Sequence, residues 1–459
     1  MSWKKKGCMA LAALLVVGAL SGCAGGGGSD KVAIRVGNWP AETQEAELAV
    51  YEGWKVEMER TYSDIEIVPD SYNYNTQTFF TLASSGQLPT IYLPPLTEIE
   101  KIVNAGYAAD LTKYMSEYSF SENLNPSLRD LVTFDDKVYA VPTNVYAIGL
   151  FCNRELFKQA GLVNPDGSLQ APATYEELAK TAQIIHEKTG AAGFSLGTMN
   201  NNGGWLFMEI AWSHGVKFME ERDGQWVATF NSPECVKALE YVKDLKWKYN
   251  ALPENGFIDQ AELRKLFGTN QSAMYFATPP EKALVRDYGM SKDDIYVARV
   301  PEGPAGRYSQ MGGQVCMVSP DATPEEIDAV FKWLEITGKS PKTTEQTLAS
   351  LEAEMKSSNE AGWIVAPRNF YDIWVNEDRL NAEAEIRAKY TNVDAINFDD
   401  YYSFNGVIVK PEEPMECQAL YGVIDAMIQA VLTDKNADCA ALVEKAASDF
   451  QLNNLDNLK

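Results

Sequence analysis

The residues that could carry reaction chemistry are few and scattered. Among 459 residues there are two histidines, His186 and His214, in unrelated contexts, so neither a His-based zinc site nor a Ser/His/Asp triad has material to draw on. Of seven cysteines, Cys8 and Cys23 lie near the N-terminus, leaving Cys152, Cys235, Cys316, Cys417 and Cys439. Five cannot all pair, and none is spaced as a metal clamp. In a chain this long they read as small buried hydrophobes, with Cys417 and Cys439 a candidate bridge. Asp135-Asp136, Asp399-Asp400 and Glu412-Glu413 read as solvated charges. No catalytic residue, metal site or cofactor is expected. The chain does offer aromatic rings beside short amides, as in Asn38-Trp39, Tyr72-Asn73-Tyr74-Asn75 and Asn200-Asn201-Asn202 with Trp205. Their chemistry is noncovalent recognition through apolar faces and amide hydrogen bonds.

The elements that hold these residues begin after a leader. Lys4, Lys5 and Lys6 precede an unbroken small-apolar run from Met9 to Leu20. That run is shorter than the ~20 residues that span a bilayer, and the order basic, apolar, small is that of a secretory signal over residues 1–22. Leu20-Ser21-Gly22-Cys23 resembles the lipobox of bacterial lipoproteins, in which the cysteine sulfur receives a diacylglyceryl group and becomes the mature N-terminus. The resemblance implies a body anchored through Cys23 to the extracytoplasmic face of a bacterial cell membrane, with residues 23–29, including Gly25 to Gly28, as a flexible tether. The alternative is an ordinary cleaved signal with Cys23 as a bystander.

The remainder is long enough for two domains at about 100 to 200 residues each. Formal charge is 40 − 64 = −24 for the whole chain and 37 − 64 = −27 without the three leader lysines. Nucleic acid is not an expected partner, because phosphate binding draws on clustered Lys and Arg.

Strand and helix patterns alternate along the body. Lys31 to Gly37 and Ile65 to Pro69 read as strands, and Val50, Tyr51, Trp54, Met58 and Tyr62 recur at helical spacing between them. Phe79 to Ser84 reads as a helix, Thr90 to Leu93 as a short strand, and Glu98 to Ala105 as a helix stopped by Gly106. This succession signals βαβ units. Val138 to Phe151 is a long extended stretch with Pro142 inside it, which suggests a segment running between two bodies. Thr174 to Glu177, Ser232-Pro233 and Thr323 to Glu326 open further helices. Gly193 to Leu196, Ser272 to Ala277 and Gln314 to Ser319 read as short strands. Cys417 to Leu432 and Asp438 to Phe450 read as two amphipathic helices. Trp54, Trp333 and Trp374 fall within helical patterns and read as core.

Five segments resemble, in order, the family of bacterial extracellular solute-binding proteins that feed ABC importers of carbohydrates. Leu88-Pro89-Thr90-Ile91-Tyr92 is similar to the family's "P-D-[IV]" third strand, with Thr90 replacing the aspartate. Ala105 to Thr112 resembles its "G-x-L-x-D-L-T" turn. Asp136 to Pro142 and Leu150 to Leu162 resemble "G-K-[IV]-Y-G-[VI]-P … L-x-Y-N-K-x-L-F-x-K-A-G-[IL]", with Asp136 in place of glycine. Ala171 to Leu178 matches "P-P-T-[WT]-x-E-[LF]". The resemblance implies an α/β, two-lobe periplasmic-binding-protein-like fold of type II, with mainly parallel sheets flanked by helices and three interlobe crossings. A ligand cleft between the lobes would close by hinge bending. Crossings are expected near Pro142 to Tyr146, Tyr275 to Thr278 and Gly312 to Val315. The first lobe would then take residues 30–141 plus 279–312, and the second 145–275 plus 315–459. The implied function is capture of a carbohydrate, as a monomer without enzymatic activity, and delivery to the transmembrane subunits of an ABC importer.

Ligands of open α/β sheets sit beyond the carboxyl ends of strands. That rule selects Asn38 and Trp39 after the first strand, Tyr72 and Tyr74 after the second, and Asn144 and Tyr146 on the first crossing. Asn201 and Trp205 follow Gly193 to Leu196, Thr278 and Gln314 mark the other expected crossings, and Trp363 and Tyr401 come from the C-terminal half. Sugars present flat C–H patches and rims of hydroxyls, which aromatic faces and short amides suit. Two other readings stay open: the same fold with a peptide, polyamine or metal complex as ligand, and a tethered glycoside hydrolase with two carboxylates about 5 to 9 Å apart across a cleft.

Overall fold

The computed structural model describes residues 31–458. The leader, Cys23 and the glycine tether lie outside the described residues.

The chain opens with a βαβ unit. Strand β1 (Val32–Val36) buries Ile34 and Val36, helix α1 (Glu45–Thr61) buries Trp54 and Met58, and β2 (Ile65–Pro69) returns parallel to β1 with Ile34 opposite Ile67. The alternating strand patterns and the aromatic stripe of α1 are what this packing requires. Strand β3 (Ile91–Tyr92) joins β1 on its other side, also in parallel. Two long strands then matter most: β4 (Val141–Ala147), continued after Ile148 by β5 (Gly149–Asn153), and, much later, β8 (Arg307–Val318). Between them lie β6 (Met274–Ala277) and β7 (Ile295–Ala298), and β9 (Val407–Pro411) follows near the C-terminus.

The first sheet runs β9-β8-β3-β1-β2, with β4 also paired to β8. Its β3-β1-β2 portion is parallel, as expected, whereas β8 is antiparallel to both β3 and β4. The second sheet, β6-β5-β7, departs from the expectation because both of its pairings are antiparallel. All five residues of β5 are buried, as befits a central strand covered on both faces. Gly193 to Leu196 forms no strand; an isolated bridge between Ala192 and Ser272 and a hydrogen bond from the Ser195 N–H to the Met274 carbonyl at 2.9 Å tie this segment to the sheet.

Each sheet has its own hydrophobic core. One gathers side chains from 34–145, 311–336 and Trp374, and the other from 148–300, Ile364, Ala366 and 393–455. This distribution corrects the expected partition. Residues 279–300, expected in the first lobe, place Leu284, Met290 and Ile295 in the second core. Residues 315–336, expected in the second, place Val315, Phe331 and Trp333 in the first. The chain therefore does not cross at Tyr275 to Thr278, because β6 and β7 both pair with β5 and stay in one lobe. It crosses along β4, crosses back along β8, and makes a third, winding passage after α3 (Pro324–Ile336), which reaches the second core at Ile364 and Ala366, returns to the first at Trp374 and rejoins the second from Val393. The third passage uses α4 (Glu345–Glu360) and α5 (Glu377–Tyr390), which share a small core of Leu351, Met355, Val365 and Ile386.

Local signals account for many boundaries. Thr323 and Glu326 form a complete capping box at the start of α3, and Gly161 and Gly190 end helices in the left-handed conformation. All five body cysteines are free and buried, so Cys417 and Cys439 do not form the candidate bridge.

Candidate functional site

The two crossing strands β4 and β8 lie side by side in an antiparallel ladder that sets Ala147 opposite Met311, Tyr146 opposite Gly312, Val145 opposite Gly313 and Asn144 opposite Gln314. Close approach dictates the glycines. A Cβ on Gly313 would stand 2.1 Å from the Asn144 carbonyl oxygen, and one on Gly312 would stand 2.7 Å from the Tyr146 ring. After Gln314 the register shifts through a bulge, a device that re-aims side chains. Asn144 is left exposed between half-buried Thr143 and buried Val145, and Gln314 between buried Gly313 and Val315.

Beside this ladder is a cleft of about 490 Å³. Val36, Gly37, Ile91 and Leu93 line it from the carboxyl ends of β1 and β3, and Asn144 and Gln314 line it from the crossings. Tyr51, Trp54 and Trp333 contribute from the first lobe, and Pro279, Pro280, Ile364 and Ala366 from the second. Both lobes therefore face one cavity, where the strand-end rule looks for a ligand.

The third passage supplies most of the charge, and Lys282 of the second lobe adds to it. Lys339 Nζ lies 3.3 Å from Glu354 Oε2. Arg379 Nη1 and Arg387 Nη2 donate to the Glu383 carboxylate at 2.8 and 2.9 Å. Lys282 Nζ stands 4.7 Å over the Trp363 ring, a cation–π arrangement. Lys339, with Lys282 behind it, holds the Glu354 carboxyl below its ordinary range. Burial pushes the Glu383 carboxyl upward, but Arg387 and Arg379 outweigh it and hold the group low. Burial, with Glu354 adding to it, pushes the Tyr51 hydroxyl up to about 12.

Of the residues expected to hold a ligand, Asn144 and Gln314 line this cleft. Thr278 is half-buried and immediately precedes Pro279 of the lining, and Tyr146 is half-buried against Gly312. Asn38 turns the chain just after Gly37 with a φ of 57°, its N–H donating to the Tyr72 carbonyl at 2.7 Å. The others are engaged elsewhere. Trp39 is buried, edge-on to Tyr51 at 5.3 Å and stacked with Trp333 at 6.3 Å, so it is core and not an open loop residue. Tyr72 and Tyr74 pack on the first core, and the Tyr74 hydroxyl donates to Glu98 at 2.7 Å.

Asn201 is at the start of α2 (Asn202–Ser213), where its N–H and that of Gly204 donate to Asp425 at 2.8 Å each. Asp425 belongs to α6 (Cys417–Thr433), and a Cβ on Gly204 would stand 2.3 Å from the Tyr421 backbone. The asparagine and glycine run is thus a helix-to-helix junction, with Trp205 half-buried on the second core. Trp363 is 6% exposed beneath Lys282. Tyr401 is 2% exposed, and its hydroxyl donates to the carbonyls of Ala147 at 2.9 Å and Phe370 at 3.2 Å.

Sequence reasoning missed Lys282, Lys339, Glu354 and the Arg379, Glu383, Arg387 series. The last has a readable signal, since charges of alternating sign at i, i+4 spacing mark one helix face.

Comparison with known proteins agrees with this geometry. The family model described as bacterial extracellular solute-binding protein matches residues 40–371. A Brucella abortus protein named as a binding protein is 24% identical over 315 residues, 66% of this chain and 72% of its own length. Among solved structures, maltose-bound MalE3 of T. maritima superposes with a TM-score of 0.66 at 21% identity, covering 92% of this chain and 99% of its own. UgpB of Mycobacterium tuberculosis in complex with glycerophosphocholine superposes with a TM-score of 0.70 at 13% identity, covering 92% and 98%. These likenesses establish the two-lobe fold. With the model matching most of the chain and a cleft lined from both lobes at paired crossing strands, the chain belongs to the family of bacterial extracellular solute-binding proteins.

Proposed function

We propose that this protein captures a carbohydrate in the cleft between its lobes and delivers it to the transmembrane subunits of an ABC importer, held at the outer face of the membrane by lipid on Cys23. The observation that carries the reading is the cavity lined from both lobes beside β4 and β8, whose lining includes the exposed amides of Asn144 and Gln314 and the rings of Tyr51 and Trp333. A solute touching both lobes stabilises their closed arrangement, because a ligand shifts a conformational equilibrium only by its differential affinity for the two states. The structural likeness to a maltose-bound protein supports a sugar as the cargo. The carboxylates lining the cavity, Glu354 and Glu383, are both held ionised by neighbouring cations, so neither supplies the protonated acid that glycoside hydrolysis needs. Titration with mono- and oligosaccharides, followed by calorimetry and solution scattering, tests the reading. Binding with a smaller radius of gyration and an unaltered sugar supports it; release of reducing ends, or no sugar bound, overturns it. For the anchor, Cys23→Ser is expected to move the folded protein from the membrane to the soluble fraction.

A further inference from the structure

The charge of the cleft is opposite to that of the chain. Its lining carries Lys282, Lys339, Arg379 and Arg387 against Glu354 and Glu383, a balance of 4 − 2 = +2, in a protein whose formal net charge is −24. Three of the cations are committed. Lys339 is paired with Glu354. Arg379 and Arg387 divide Glu383 between them, Arg379 also donating to the Gly338 and Ser340 carbonyls and Arg387 to the Asn369 amide oxygen.

Lys282 is not committed in this way. Among the described residues no carboxylate lies within ion-pair distance of it, and the adjacent Glu281 is taken by Arg264 at 2.8 Å. The residue is half-buried, and its ammonium stands 4.7 Å over the Trp363 ring. An ammonium in a cavity, set on a ring face and with Glu354 acting on it only from beyond ion-pair distance, can take a matching anion without breaking an existing pair. A cleft of one sign with low-dielectric walls also concentrates solutes of the opposite sign against the repulsion of the acidic surface.

We propose that the solute is an anionic carbohydrate, one bearing a carboxylate or a phosphate, and that Lys282 receives its charged group while Asn144 and Gln314 meet its hydroxyls. This rests on the cleft being the capture site. The chemistry shared by the two sources is a resonance-stabilised oxyanion on a polyhydroxylated ring, and the arms of the test separate them.

The folded protein is titrated with oligomers of galacturonate, mannuronate and glucuronate, with hexose phosphates, and with neutral oligosaccharides of glucose, galactose and mannose. An anionic member is expected to bind at least tenfold more tightly than its neutral counterpart and to weaken with added salt. Lys282→Gln is expected to remove that preference and Lys282→Arg to retain most of it. Circular dichroism of both variants checks that they fold. Uronates binding alone identify a carboxylate, and hexose phosphates binding alone a phosphate. If neutral sugars bind as tightly and Lys282→Gln changes nothing, the anionic inference is wrong while capture in the cleft stands. If no carbohydrate of any charge binds, both fail.

Discussion

Asn144 and Gln314 stand directly opposite one another in the ladder between the two crossing strands, and both are exposed to the cleft while Val145 and Val315 beside them are buried. The strands that carry the lobes thus also carry two amides to the ligand. Asn144→Ala and Gln314→Ala should each weaken solute binding by roughly fivefold, the loss of about one hydrogen bond near 1 kcal/mol. Folding stability should change by less than about 0.5 kcal/mol, as for exposed sites free of special backbone demands. Calorimetric titration beside urea unfolding separates the two effects.

Trp39 tests where the site ends and the core begins. Wedged between Tyr51 and Trp333, it should behave as a core aromatic, so Trp39→Ala is expected to cost about 3 to 5 kcal/mol in unfolding free energy. A change below about 1 kcal/mol with a large loss of affinity would return Trp39 to the ligand surface.

The sequence made the local elements readable because each rests on signals a few residues apart. β2 and the helix Phe79–Ser84 occur at the expected residues, and Thr323 with Glu326 makes the expected capping box. Lobe membership was less legible, since whether Leu284 or Val315 joins one core or the other depends on pairings such as Met274 with Cys152 and Val315 with Pro142, far apart in sequence. The candidate site was the least legible. Asn201 looked like a ligand residue because asparagine beside glycine suits polar recognition and turns equally well. Its actual role needs Asp425, 224 residues away, to receive its N–H. Lys282 and Lys339 lie outside any motif and come to one cavity only in the folded chain.

Gly313 is where the crossings leave no room. A Cβ there would fall 2.1 Å from the Asn144 carbonyl oxygen, a backbone atom that cannot move without shifting β4. Gly313→Ala should therefore lower unfolding stability by about 2 kcal/mol or more, as overpacking against a fixed neighbour does. It should also weaken solute binding, because Asn144 is displaced together with its carbonyl. Stability and affinity both at the level of the unaltered protein would show that the ladder is loose enough to take a methyl group.

Glu209 gives the protein a pH dependence of definite sign. This residue of α2 is fully buried; one carboxyl oxygen accepts from the Gln310 N–H on β8 at 3.2 Å and the other has no partner among the described residues. Burial pushes its pKa from 4.5 up to about 8, with Glu412 adding to the rise and the backbone hydrogen bonds opposing it. Glu412, itself pushed up to about 7 by burial, has the same sign. The folded protein keeps protons that the unfolded chain releases near 4.5. The stability associated with these groups is therefore fully present below about pH 4.5 and is lost as pH rises towards 7 for Glu412 and towards 8 for Glu209. Carboxyls held low, such as Glu383 and Glu354, slope the opposite way, so the clean measurement is a difference. Glu209→Gln keeps an oxygen for the Gln310 N–H and cannot ionise. Its stability relative to the unaltered protein should rise steadily between about pH 5 and 8 and level off above, read from urea unfolding at each pH. Parallel curves across that window would mean that Glu209 titrates normally and that water reaches its unpartnered oxygen.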